Sequence, residues 1–171
     1  MRVHRSYMGV SLIELTFSLG LLALLAGLAV PGFQASLRTA ALRSATFELL
    51  AGIQQARVTS IEESRPSLLC PTDSAGRCVA AGVAATGWRS FIEEDGGHRA
   101  LGGQSLPSGA VLRATRSPIH FWPTSLAAST GTLTICLAAG RAASAVPPRA
   151  IVISQAGRPR MDVGAPEDCA P

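Results

Sequence analysis

Of the 171 residues, 47% are hydrophobic and only 15% charged, which is too apolar for a disordered chain and points to a membrane segment. All 15 basic residues are arginine, so P-loop, Schiff-base and kinase-type lysine chemistries are excluded, and three histidines supply a triad or metal enzyme poorly. A net charge of +4 permits an anionic partner without demanding one.

The apolar excess is concentrated near the start. No charged residue occurs from Leu15 to Leu37, a stretch long enough to cross the ~30 Å hydrocarbon core as a helix. The short segment before it carries Arg2 and Arg5, which orients that end toward the cytoplasm. A cleaved secretory signal or a plain signal anchor would have this outline, but Glu14 argues against both. A carboxylate at the edge of an apolar run costs up to ~3 kcal/mol at bilayer depth and persists where it has a partner. The helix macrodipole offsets part of that cost.

Gly9-Val10-Ser11-Leu12-Ile13-Glu14-Leu15, followed by an apolar run and Pro31, resembles the class III signal of type IV pilins and type II secretion pseudopilins. The resemblance implies cleavage by a prepilin peptidase between Gly9 and Val10 and methylation of the new amino terminus. Glu14 then becomes the fifth mature residue, able to pair with the Val10 amine of an adjacent subunit. Val10 and Ser11 stand where most members carry phenylalanine and threonine.

Pro31-Gly32 is expected to kink or locally melt the helix. Gly20, Ala23 and Gly27 share one face and permit close helix packing in lipid. From about Gln34 to Glu63 helical spacing persists, with Leu42, Leu49, Ile53 and Ala56 on one stripe, widened by Ala45, Thr46 and Leu50, and polar residues opposite. Arg65-Pro66 ends it. The expectation is one helix of some fifty residues, ~80 Å long, whose second half needs a partner surface.

Beyond Pro66, short β-like runs alternate with glycine, proline, serine and threonine: 67–70, 88–93, 110–116, 119–122, 132–137, 149–154 and 158–163. They suggest antiparallel sheets laid on the apolar stripe, an α+β arrangement, and the pilin resemblance implies a pilin-like fold with two small sheets. The expected organisation is a leader over 1–9, a transmembrane segment over 10–36, an amphipathic helix over 37–64 and a periplasmic β domain over 65–171. The chain would be a single-pass inner-membrane protein that reaches the cell surface within a pilus.

Four cysteines in an oxidising space allow three pairings. The expected one joins Cys70 to Cys78 around a turn-rich loop and Cys136 to Cys169 at the tail. Loop entropy assigns them roughly 2.5 and 4 kcal/mol. A zinc site is set aside, because there is no C-x-x-C and no histidine nearby.

Leu69-Cys70-Pro71 to Cys78, Gly87-Trp88-Arg89-Ser90-Phe91, Ile135-Cys136, and Ile151-Val152-Ile153-Ser154 with Gly157-Arg158-Pro159-Arg160 and a last cysteine resemble the GspH/FimT group of minor pilins and pseudopilins.

No G-x-S-x-G, H-E-x-x-H or phosphate loop occurs, so no catalytic residue, metal or cofactor is expected. Glu93-Glu94-Asp95-Gly96-Gly97 lacks calcium-loop spacing and reads as a hairpin turn. His98 and His120 read as surface or packing residues, and Trp88 and Trp122 as core anchors rather than base-stacking platforms.

The last hairpin carries the remaining chemistry. Gln155-Ala156-Gly157 fits a three-residue loop with a left-handed glycine. Alternation then places Ile151, Ile153, Pro159, Met161 and Val163 on the buried face and drives Arg158 and Arg160 outward, ~7 Å apart. Pro159 marks an edge strand. Two exposed guanidinium forks suit phosphate oxygens, although outward arginines also serve as edge gatekeepers and Asp162 is placed to neutralise Arg160. A G-R-x-R pattern resembles the DNA-binding motif of FimT-type minor pilins, with Gly157, Arg158 and Arg160 at the matching positions. The implied partners are other pilins or pseudopilins, a prepilin peptidase, the inner membrane and double-stranded DNA, bound weakly and without sequence preference, for natural transformation. The competing expectation is a GspH-type minor pseudopilin or pilus-priming subunit without DNA binding.

Overall fold

The computed structural model describes residues 11–123, 128–137 and 146–169. The expected processing residues Gly9 and Val10 and the basic Arg2 and Arg5 lie outside them.

Helix α1 spans Leu12–Glu62. Ser11 opens it, its carbonyl accepting from the Leu15 N–H at 3.1 Å. Contrary to the expectation of local melting, α1 continues as helix through Pro31-Gly32. Proline removes one ladder bond, and the turns on either side carry the helix past it. The chain divides into two compact units, residues 1–37 and 38–171. In the first, large apolar side chains such as Leu12, Phe17, Leu22, Leu24, Phe33 and Leu37 stand exposed, and α1 is long and apolar enough to cross a membrane.

In the second unit the periodic stripe is the core. Leu42, Ala45, Thr46, Leu49, Ile53 and Ala56 are all buried. α1 stops through a Schellman arrangement. Ser64 is left-handed (φ 53°), its N–H donates to the Ile61 carbonyl, and the Arg65 N–H donates to Ser60 O. Pro66 prevents continuation.

Eight strands follow: β1 Ser67–Thr72, β2 Gly87–Glu94, β3 Gly97–Ser105, β4 Ala110–Ala114, β5 Ile119–Phe121, β6 Gly131–Leu137, β7 Arg149–Ile153 and β8 Pro159–Val163, then a 3-10 turn over Pro166–Cys169. They form two four-stranded antiparallel sheets, ordered β3-β2-β1-β5 and β4-β6-β7-β8. The inner faces contribute Leu69, Trp88, Ile119 and Phe121 from the first sheet, and Leu112, Leu133, Ile135, Ile151 and Ile153 from the second, all in one cluster with the helix stripe. Buried hydroxyls are satisfied locally. Ser67 Oγ donates to the Ala56 carbonyl at 2.7 Å, and Ser60 Oγ to Arg65 O and Phe121 O.

Strand β3 was not anticipated. It is an outer strand, mostly exposed, with three glycines and no apolar alternation, so the period-2 pattern that marks a half-buried strand is missing. Its Leu101 falls at the register shift opposite Ser90/Phe91, and packs against the core.

Disulfides join Cys70 to Cys78 and Cys136 to Cys169, with Cα separations of 5.6 and 5.8 Å. The first closes a loop organised by Asp73, whose carboxylate accepts from the Ala75 and Arg77 N–H groups and from Arg77 Nε, each at 2.9 Å. These bonds, those from Arg77 first, hold the Asp73 carboxyl below its ordinary pKa. The second fastens the 3-10 turn to β6.

Candidate nucleic-acid interface

The hairpin of β7 and β8 is built as an outward-facing edge. Val152 stands opposite Arg160, and Ile153 opposite Pro159. At the turn the Ser154 N–H donates to Arg158 O at 3.2 Å and the Gly157 N–H to Ser154 O at 2.8 Å. Gly157 adopts φ +67°, a left-handed conformation that favours glycine.

Two contacts from outside the hairpin fix the turn. Arg57 Nη1, reaching from α1, donates to the Gly157 carbonyl at 2.9 Å, and the Ala128 N–H donates to Gln155 O at 3.0 Å. Arg57 therefore brings a third guanidinium to the turn. It was missed in the sequence because nothing in helix periodicity separates an arginine that grips a distant turn from one on a solvated flank.

Arg158 and Arg160 are both exposed. Asp162 lies on the same side of β8, and its carboxylate is 3.5 Å from Arg160, with both side chains more than half exposed. A pair this open to water contributes ~0–1 kcal/mol and leaves the guanidinium exchangeable with a phosphate.

The apolar side of β8 differs from expectation. Ile151 and Ile153 are buried, but Pro159 is half-buried, Met161 is 48% exposed and Val163 61%. β7 lies between β8 and the rest of its sheet, so the core cluster reaches β7 and stops there. Trp122 is a second correction. It lies just past the outer strand β5, is 41% exposed, and stacks on His120 at 5.9 Å. Trp88 is buried at 5% exposure, and His98 meets Phe91 edge-on at 6.4 Å.

Several other arginines are engaged elsewhere. Arg99 binds Glu63 and Glu94, Arg65 binds Asp95 at 2.9 Å, and Arg113 donates to the Gly82 carbonyl. The carboxylates raise the Arg65 and Arg99 pKa further above an already basic value. Arg57, Arg158 and Arg160 bring three guanidinium groups to the turn. Among the described residues no three His, Cys, Asp or Glu side chains gather as a metal site. Glu14 sits exposed in the first turn of α1.

A long apolar helix whose second half packs on two small antiparallel sheets is the architecture of the pilin class, which includes minor pilins and pseudopilins. The family model described as Type II transport protein GspH matches residues 45–157, and the chain belongs to that family. Two solved structures of the type IV minor pilin FimU from Pseudomonas aeruginosa (strain PAO1) share the fold. One, in space group P21, is 18% identical with a TM-score of 0.51 and covers 74% of this chain and 90% of its own. The other, in space group P65, is 19% identical with a TM-score of 0.51, covering 70% and 91%. No curated protein sequence matches the chain.

Proposed function

We propose that this protein is a FimT-like minor type IV pilin that enters a pilus and binds extracellular double-stranded DNA through the β7–β8 turn, in support of natural transformation. A prepilin peptidase cuts after Gly9, Val10 becomes the methylated amino terminus, and Glu14 pairs with that amine on an adjacent subunit. The apolar part of α1 holds the chain in the inner membrane before assembly, with the β domain in the periplasm. The observation that carries the DNA reading is the outward pair Arg158 and Arg160 on a strand edge, beside an Arg57-braced turn. Guanidinium forks at this spacing contact neighbouring phosphates without reading bases, so binding is weak and indifferent to sequence.

Full-length protein in detergent micelles should retard duplex DNA at low salt. Arg158→Gln with Arg160→Gln should weaken that binding about 5- to 50-fold for every sequence, by loss of two phosphate contacts. Unchanged affinity in the folded double variant would remove the assignment. The family description favours a second reading, a minor pseudopilin of a type II secretion system, in which Arg160 and Asp162 only guard the strand edge. That reading expects no DNA binding at any salt concentration.

A further inference from the structure

Beside the free edge of β8 lies a groove of about 570 Å³, lined by Arg43, Thr46 and Phe47 of α1, Arg149 of β7, and Met161, Asp162 and Val163 of β8. We propose that this groove binds one phospholipid, its phosphodiester held by Arg43 and Arg149 and its glycerol and upper acyl chain lying on Phe47, Met161 and Val163.

Charge complementarity selects an anion. Neither the Arg43 nor the Arg149 guanidinium has a carboxylate or hydrogen-bond partner among the described residues. The groove's one carboxylate, Asp162, already faces Arg160 and accepts from the Val163 N–H at 2.9 Å. Two guanidinium groups against one carboxylate leave net positive charge for a diester phosphate.

The floor selects an amphipathic molecule over a free anion. Phe47, Met161 and Val163 are 56%, 48% and 61% exposed side by side, an arrangement that marks a binding surface rather than scattered surface apolar residues. Sequence position supplies the ligand, for Arg43 follows the uncharged stretch ending at Leu37 by only six residues. In the orientation set by Arg2 and Arg5, Arg43 follows the periplasmic end of the span, where arginine side chains at a helix end reach headgroup level. The inference thus rests on α1 entering a membrane and is independent of the DNA reading.

An added protein strand fits the groove poorly. In β8 the backbone groups of 159, 161 and 163 point away from β7, because Arg158 and Gly164 are bonded on the β7 side. Pro159 has no N–H and the Val163 N–H is satisfied by Asp162. Only the Met161 N–H is left to donate, too little for strand addition.

The test uses full-length protein in mild detergent, with phosphatidylglycerol or phosphatidylcholine added and retained lipid counted by native mass spectrometry. One phosphatidylglycerol per chain should remain bound in preference to phosphatidylcholine, and excess inorganic phosphate should not displace it. Arg43→Gln or Arg149→Gln should each lower retention at least 5-fold, and Val163→Asp, which adds a carboxylate to the floor, should do the same. Arg38→Gln, on the same helix outside the groove, should leave retention unchanged. Equal loss in Arg38→Gln would mean only a diffuse charged surface and would overturn the site, as would wild-type retention in Arg43→Gln/Arg149→Gln. Displacement by phosphate would reassign the groove to a free anion. Self-association abolished by Phe47→Ser, without lipid retention, would reassign it to a protein partner.

Discussion

Gly52 lies buried in α1 directly under the indole of Trp88. A Cβ built there would stand 2.1 Å from Trp88 Cη2 and 2.4 Å from Cζ3, where carbon atoms pack best at about 3.5–4.0 Å. In Gly52→Ala the ring must therefore retreat by roughly 1.5 Å, the shortfall from that contact distance. It has little room, because Trp88 is 5% exposed and its backbone is paired on both sides, with Pro71 and Gln104. Overpacking of this severity costs about 3 kcal/mol, the upper end of the usual range. Alanine's better helix propensity returns about 1 kcal/mol, so the net loss is about 2 kcal/mol. For a chain of this size that lowers the melting temperature by about 4–8 °C. The assay is thermal unfolding followed by tryptophan fluorescence and near-ultraviolet circular dichroism, which report the β domain rather than the apolar helix. Trp88→Phe should relieve the clash in the double variant, giving a coupling of at least ~1 kcal/mol. Part of its own cost is offset because Trp88 Nε1 is buried with no hydrogen-bond partner among the described residues. A Gly52→Ala protein as stable as wild type would refute the contact and, with it, the docking of sheet β3-β2-β1-β5 on the second half of α1.

Arg57→Met should loosen the β7–β8 turn by removing its charged donor, at about 1–2 kcal/mol, seen as faster hydrogen exchange over 155–158 and weaker DNA binding, with Arg57→Lys restoring part of both. Cys136→Ser should release the 3-10 turn from β6 and destabilise the domain by up to about 4 kcal/mol on the loop-entropy scale, measured by denaturant unfolding. Asp73 is held ionised by its loop, so its folded pKa lies below its unfolded one. Its contribution is present above the unfolded value near 3.8 and is lost as pH falls through the lower folded value. Asp73→Asn should therefore be less stable than wild type at neutral pH, and the difference should shrink below about pH 4.

What the sequence revealed follows from which physical constraints leave periodic traces. The stripe of Leu42, Leu49, Ile53 and Ala56 was legible because one helix face must be apolar to meet two sheets. The β7–β8 turn was legible because a left-handed residue favours glycine and Pro159 has no N–H. Strand β3 left only its turn over 93–97 in the sequence, because an outer strand with little to bury needs no alternation. Pattern alone also failed at Met161, Val163 and Trp122, since alternation tells which side a residue faces and says nothing about whether a layer exists to cover it. Arg57 was hidden because its partner is a backbone carbonyl 100 residues away.

Purified filaments decide whether this chain is, as proposed, a subunit of a pilus. Pili sheared from cells expressing the full-length protein should contain it as a minor component, and mass spectrometry should recover an amino-terminal peptide beginning at N-methylated Val10. Glu14→Ala should still be cleaved at that bond but be lost from the filaments. Absence of the wild-type chain from sheared pili, or an amino terminus near Ala29 or Ala35 from an ordinary signal peptidase, would contradict the claim.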